Sequence, residues 1–137
     1  MTDRTTDRSL NKLLALVFGV VYTLVGLAGF LITGDVPFAG QEGEPLILFD
    51  VNGLHNIVHL IIGLALVAAS RNLRTARAAN LAIGVTYLVL GLLGPVINDT
   101  AVDVIGLNGW DHVLHLVSGA LLTAVALLAD KRAHTRT

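Results

Sequence analysis

The segment LLALVFGVVYTLVGLAGFLIT, residues 13–33, contains no charged side chain and decides the class of this protein. A bilayer core about 30 Å thick needs roughly 20 apolar residues in a helix that rises 1.5 Å per residue. Three further uncharged runs follow at residues 54–70, 78–97 and 113–129. The sequence therefore predicts an all-α membrane protein, a bundle of four transmembrane helices.

The second and fourth runs are short, and each is preceded by Asn-Gly. Extending them back to Asn52 and Asn108 gives helices of comfortable length, and either asparagine can cap its helix by accepting from free backbone amides. Asp111 has the spacing of a capping partner for Asn108. We predict one membrane domain, 1–137, divided into a tail (1–12), helix 1 (13–33), an outer loop (34–51), helix 2 (52–70), a cytoplasmic loop (71–77), helix 3 (78–97), an outer loop (98–107), helix 4 (108–129) and a tail (130–137).

Composition agrees with a membrane class and excludes several others. The mean hydropathy is +0.74 and only 14% of residues are charged, against about 25% in soluble domains. The net charge of -1 gives no basic excess for nucleic acid, so the lipid bilayer is the expected partner. The absence of cysteine excludes disulfides, thiolate metal sites and cysteine nucleophiles.

The distribution of basic residues predicts the orientation. All nine Lys and Arg residues fall before helix 1, between helices 2 and 3, or after helix 4, whereas the other two loops carry only acids. The basic residues are Arg4, Arg8, Lys12, Arg71, Arg74, Arg77, Lys131, Arg132 and Arg136. Because loops rich in Lys and Arg stay in the cytoplasm, we expect a multi-pass protein of the cell membrane with both termini cytoplasmic.

Helices 1 and 3 share the spacing G-x-x-Y-x-x-x-G-x-x-G. Its members are Gly19, Tyr22, Gly26 and Gly29 in helix 1, and Gly84, Tyr87, Gly91 and Gly94 in helix 3. Steps of three and four residues keep these positions on one face, where small side chains let helices approach closely. Helices 2 and 4 also match, each with Asn-Gly, then His-Leu and a later Gly. The sequence predicts two tandem copies of one hairpin, with the glycines in packing and the tyrosines in buried hydrogen bonds.

Four of the five histidines lie near the outer ends of helices 2 and 4. His55 and His59 are four residues apart, and His112 and His115 are three apart, so each pair shares a helix face. The deeper histidines, His59 and His115, are each followed four residues later by a glycine, Gly63 or Gly119. Such a glycine leaves space for a helix or for a flat ligand. We predict a histidine cluster between helices 2 and 4, near the outer membrane face.

Several interpretations of this cluster stay open. The four imidazoles, with Asp111 as a further candidate, suit a divalent transition metal such as Zn or Cu. Alternatively, His59 and His115 supply both axial ligands of a haem for which Gly63 and Gly119 make room. A third interpretation is a proton-handling group. A fourth is a purely structural cluster in which each ring is hydrogen-bonded inside the bundle.

Beyond the cluster, the sequence shows no set of catalytic residues, so we do not expect an enzyme. The alternative to a metal-binding or haem-binding protein is a structural or accessory subunit, packed as a homo-oligomer or within a larger membrane complex. A small proton-coupled carrier ranks third, because helices 1 and 3 carry no ionisable group in the hydrocarbon core.

Two strings and the overall layout resemble a known family. The strings are Asn52-Gly-Leu-His-Asn-Ile-Val-His-Leu60 and Asp111-His-Val-Leu-His-Leu116. Together with four helices over the whole length, they resemble the uncharacterised bacterial membrane family called domain of unknown function 4383. The resemblance covers nearly the whole chain. It implies a four-helix membrane protein and no assigned activity.

Overall fold

A computed structural model describes residues 9–46 and 49–131, and in that part of the chain it contains four helices and one β-hairpin. The elements are α1 (Leu10–Phe30), β1 (Glu44–Leu46), β2 (Phe49–Val51), α2 (Gly53–Ala69), α3 (Leu73–Ile97) and α4 (Gly109–Leu128). Three of them, α1, α3 and α4, are long and apolar enough to cross a membrane, and α2 is a shorter apolar helix of 17 residues. The predicted class, a mainly helical membrane protein, is confirmed. Of the predicted tails 1–12 and 130–137, residues 1–8 and 132–137 lie outside the described residues.

Two helices begin earlier than the hydrophobic runs alone predict. Helix α1 starts at Leu10, because the Ser9 hydroxyl accepts a hydrogen bond from Lys12 N at 3.2 Å. Helix α3 starts at Leu73, because the Asn72 side chain accepts from Thr75 N at 2.9 Å. The basic side chains of the predicted loop 71–77 therefore lie mostly on the first turns of α3. Polar residues continue a helix beyond the apolar run whenever a cap satisfies its free amides.

A short antiparallel hairpin occupies part of the predicted outer loop 34–51. Its strands β1 and β2 pair Glu44 with Val51 and Leu46 with Phe49. The two outer segments are joined as well: Gly40 bridges to Ile105, and Asn52 Nδ2 donates to Gly40 O at 3.2 Å and to Val104 O at 3.1 Å. The hairpin and these bonds cover one end of the helices, the end predicted to face outward.

The helices pack closest in consecutive pairs, α1 with α2 and α3 with α4. The glycines of the repeated spacing face the partner helix in each pair and are buried. A methyl group added at Gly19 would lie 2.9 Å from Gly63 O, and one at Gly84 would lie 2.7 Å from Thr123 N. Such distances leave space for hydrogen only, so backbones approach directly, as small residues permit inside membranes. The large apolar side chains point outward instead, with Leu24 60% and Leu92 68% exposed.

At the end of the bundle away from the hairpin, a polar network joins α1, α3 and the end of α4. The Asp130 carboxylate accepts from Ser9 Oγ at 2.9 Å, Asn11 N at 3.0 Å and Asn11 Nδ2 at 2.8 Å. Asn80 Nδ2 donates to Asn11 O at 2.9 Å, and both asparagines are completely buried. Asp130 therefore serves as an additional cap for α1, supplied from the far end of the chain.

Replacing Asp130 by alanine is expected to destabilise the protein by about 1–2 kcal/mol at neutral pH, because α1 loses this cap. Burial alone would raise the pKa of the Asp130 carboxyl, but hydrogen bonds from Asn11, Ser9 and Leu10 outweigh it and lower the pKa below the ordinary 3.8. A depressed pKa means that the carboxylate stabilises the folded state above about pH 4, and that this stabilisation is lost as pH falls through the folded pKa.

The measurement is thermal unfolding in detergent as a function of pH. The difference between Asp130→Ala and the wild type should be constant near neutrality and shrink below about pH 4. A difference that stayed constant in acid would contradict the role of the ionised carboxylate.

Candidate metal centre

The first turns of α2 and α4 position the histidines. Asn52 caps α2 by accepting from His55 N at 2.9 Å, so His55 and His59 follow on adjacent turns of one face. Asn108 caps α4 in the same way, accepting from Asp111 N at 2.9 Å, and His115 lies two turns further in. Because both caps are at the hairpin end of the bundle, the two helices deliver their imidazoles to the same depth.

Three of the four predicted histidines converge. His55, His59 and His115 are all buried, and one nitrogen from each ring lies within 4.8 Å of one nitrogen from each of the others. The ring centres of His55 and His59 are 4.3 Å apart, and those of His55 and His115 are 6.3 Å apart. The arrangement brings three neutral nitrogen donors, from two helices, to one point.

His112, the fourth histidine of the predicted cluster, is not among the three that converge. Its Nε2 is 3.0 Å from Asn98 Oδ1 at the end of α3, and its ring fills the space over Gly94. Asn56 makes the matching contact in the other helix pair, donating from Nδ2 to Thr33 Oγ1 at 3.1 Å. His112 therefore joins the start of α4 to the end of α3.

The converging rings retain unpaired nitrogens. His55 Nδ1, His115 Nδ1 and both ring nitrogens of His59 are buried and have no hydrogen-bond partner among residues 9–46 and 49–131. The His55 ring also hydrogen-bonds to the backbone of Ile105 and Asp50, as metal-binding histidines do with their outer partners. An unpaired buried polar group costs about 1–3 kcal/mol, so four together need a further partner.

Two tyrosines flank the cluster, one from each of the other helices. The Tyr22 ring of α1 is 5.2 Å from the His59 ring, and the Tyr87 ring of α3 stacks on His115 at 5.2 Å. Tyr22 donates to Ser118 Oγ at 3.3 Å, and the Tyr87 hydroxyl lies beside that of Tyr22. All four helices thus contribute to the centre, which lies in the middle of the bundle and not simply between α2 and α4.

Asp111 is buried beside the cluster but is engaged elsewhere. Its carboxylate accepts from Asn108 N at 2.8 Å, completing the capping box, and from Asp50 N of β2 at 3.3 Å. It is not one of the three converging groups. Burial also raises the pKa of the Asp50 carboxyl, although a hydrogen bond with Asn108 acts in the opposite direction. Asp111 therefore connects α4 to the hairpin.

Gly63 and Gly119, predicted to leave space for a helix or a flat ligand, each face the backbone of a neighbouring helix. A methyl group at Gly63 would lie 2.5 Å from Thr23 N, and one at Gly119 would lie 2.6 Å from Leu88 N. The backbones of α1 and α3 already fill the space that a macrocycle needs. These glycines belong to the helix contacts.

The tyrosine partners and the exclusion of His112 were not anticipated from the sequence. The internal repeat did contain a signal for the different position of His112. When the two copies are aligned on Asn52 and Asn108, His59 matches His115, whereas His112 matches Asn56 and not His55.

Comparison with known proteins adds the family. Residues 12–128 match the family described as Domain of unknown function (DUF4383). No match was found among the curated proteins or among the solved structures. The family match covers most of the chain and confirms the resemblance noted in the sequence, and the chain therefore belongs to the DUF4383 family.

Proposed function

We propose that this membrane protein binds one transition-metal ion through His55, His59 and His115. The observation that carries the proposal is the approach of three buried ring nitrogens to within 4.8 Å of one another. Zinc–imidazole bonds of 2.0–2.1 Å in a tetrahedral site place ligand nitrogens about 3.4 Å apart. Small rotations of the side chains close the remaining distance without moving the helices.

The donor set favours Zn²⁺ or Cu²⁺, because neutral imidazole suits both ions and the cluster contains no thiolate. Three protein ligands leave the fourth tetrahedral position open, the arrangement of zinc sites that react with or exchange a ligand. The ring of Tyr87 stacks on His115 and therefore borders the centre. A purely structural cluster would instead be expected to pair its nitrogens within the bundle.

The direct test is a metal titration of purified protein in detergent or nanodiscs, with Zn²⁺ and Cu²⁺ in separate arms. One ion per chain is expected, held against a competing chelator of known affinity. The arm with the higher affinity identifies the preferred metal. Failure of both ions to bind saturably would contradict the proposal.

We also infer that the chain is a tandem duplication of one helical hairpin. Matching contacts in the two helix pairs support this inference. Gly29 faces Asn56 where Gly94 faces His112, and Gly63 lies against Gly19 O where Gly119 lies against Gly84 O. Such agreement at several positions follows naturally from two copies that kept one packing plan.

We propose four membrane crossings, with both termini and the connection between α2 and α3 in the cytoplasm. The 17 residues of α2 reach the lower limit of a spanning helix, and the Lys and Arg distribution supports the orientation. Since the chain has no cysteine, single cysteines can report each side. In intact cells a membrane-impermeant maleimide should label Thr100→Cys, and it should label Arg71→Cys only after permeabilisation. The reverse pattern would overturn the orientation.

A further inference from the structure

A separate cavity of about 190 Å³ lies between α1, α4 and the β-hairpin. Its walls include Phe18 and Val21 of α1, Phe49 of β2 and Leu114 of α4, and the buried ring of His59 forms part of its lining. The cavity exists because α1 and α4 make few contacts with each other, while each packs closely against its own partner helix.

The mouth of the cavity faces sideways, between two helices whose outer surfaces are apolar. Val21 is exposed, and Phe18 and Leu114 are half-buried, so they form both wall and rim. Neighbouring positions on the outer surface, Val17 of α1 and Val117 of α4, are exposed valines. In a bilayer this mouth would open to the hydrocarbon region and admit molecules that dissolve in lipid.

The size and lining specify the chemistry of an occupant. A protein cavity of about 150 Å³ with apolar walls accepts benzene, so this one has the capacity for a single substituted ring. Its walls are almost entirely apolar, and Tyr22 and Ser118 already bond to each other. His59 is 4% exposed, and both of its ring nitrogens lack a partner among the described residues. Asp111 also lines the cavity, but its carboxylate already accepts from Asn108 N and Asp50 N. The site therefore offers an apolar chamber in which His59 is the polar side chain with unpaired ring nitrogens.

We propose that this cavity binds a small membrane-soluble alcohol of the phenol type, with its ring against Phe18 and Leu114 and its hydroxyl hydrogen-bonded to His59. A charged head group is excluded by the apolar lining, and a molecule without a polar group would leave His59 unpaired. The proposal does not depend on metal binding, because His59 has two ring nitrogens and a metal ion occupies only one of them.

The test uses the full chain in nanodiscs and fluorine NMR with para-fluorophenol, with empty nanodiscs to subtract partition into lipid. Saturable binding to the wild type is expected, and fluorobenzene should bind about fivefold to tenfold more weakly because it lacks the hydroxyl. Leu114→Trp, which fills the cavity, should reduce the affinity for para-fluorophenol at least about tenfold. Leu24→Trp adds the same side chain to an exposed site on α1 and should leave the affinity unchanged.

Val21→Trp, at the exposed rim, is the second variant in case Leu114→Trp does not fold, and it should also weaken binding. Retained Zn²⁺ or Cu²⁺ binding by either filled variant would separate this cavity from the metal centre. Equal para-fluorophenol affinity in the filled and control variants would overturn the cavity as the site. Equal affinity of the wild type for para-fluorophenol and fluorobenzene would overturn the role assigned to His59.

Discussion

Replacing His59 by alanine is expected to weaken Zn²⁺ or Cu²⁺ binding at least about 100-fold, whereas replacing His112 by alanine leaves it unchanged. Loss of an outer partner of a metal ligand typically costs 10- to 100-fold in affinity, and loss of a ligand itself costs more. His59 is one of the three converging rings, but the His112 ring is bonded to Asn98 outside them. The pair is a matched control, because both are histidines from the first turns of a helix.

The variants are compared by chelator competition and by thermal unfolding with and without metal. Metal that binds only the folded state stabilises it by about 2.7 kcal/mol when present at 100 times its dissociation constant. The wild type and His112→Ala should show this stabilisation, and His59→Ala should lose it. If both variants lost affinity equally, the four-histidine cluster predicted from the sequence would be correct and the three-histidine centre wrong.

Helix geometry explains why His55 converges with the deeper histidines and His112 does not. Successive residues are rotated by about 100°, so a residue four positions before another lies about 40° to one side of it. A residue three positions before lies about 60° to the other side. Relative to the deeper histidine of its own helix, His55 therefore lies on one side and His112 on the other, about 100° apart around the helix axis. Residues at either spacing are nevertheless usually counted as sharing one helix face. The alignment of the two copies contains the same information, because it matches His112 with Asn56.

Other parts of the fold depend on contacts between residues far apart in sequence. Asp130 reaches Asn11 across 119 positions, and no local pattern indicates that the end of α4 caps α1. The hairpin escaped prediction because strands of three residues carry too little alternation to be recognised. The lipid-facing runs, by contrast, are local and long. They predicted the membrane class and the helices, and the glycine spacing predicted which faces meet.

Replacing Gly119 by alanine is expected to destabilise the protein by about 2–3 kcal/mol, since the new methyl group overpacks a close helix contact. It would lie 2.6 Å from Leu88 N and 2.7 Å from Gly84 O, both backbone atoms that cannot move aside without separating α3 from α4. The higher helix propensity of alanine, worth up to about 1 kcal/mol, offsets part of this cost. The measurement is the free energy of unfolding in mixed detergent micelles, without metal.

Gly109→Ala supplies the matched control on the same helix. A methyl group at Gly109 would meet no atom within 4 Å, so the change in unfolding free energy should stay within about 0.5 kcal/mol. Equal stabilities of the two variants would contradict the packing role of Gly119. The comparison also separates two interpretations of Gly63 and Gly119, the glycines that follow the deeper histidines: space for a ligand, or a close contact between helices. Space kept for a ligand would tolerate a methyl group in the metal-free protein, whereas space already taken by a neighbouring backbone cannot.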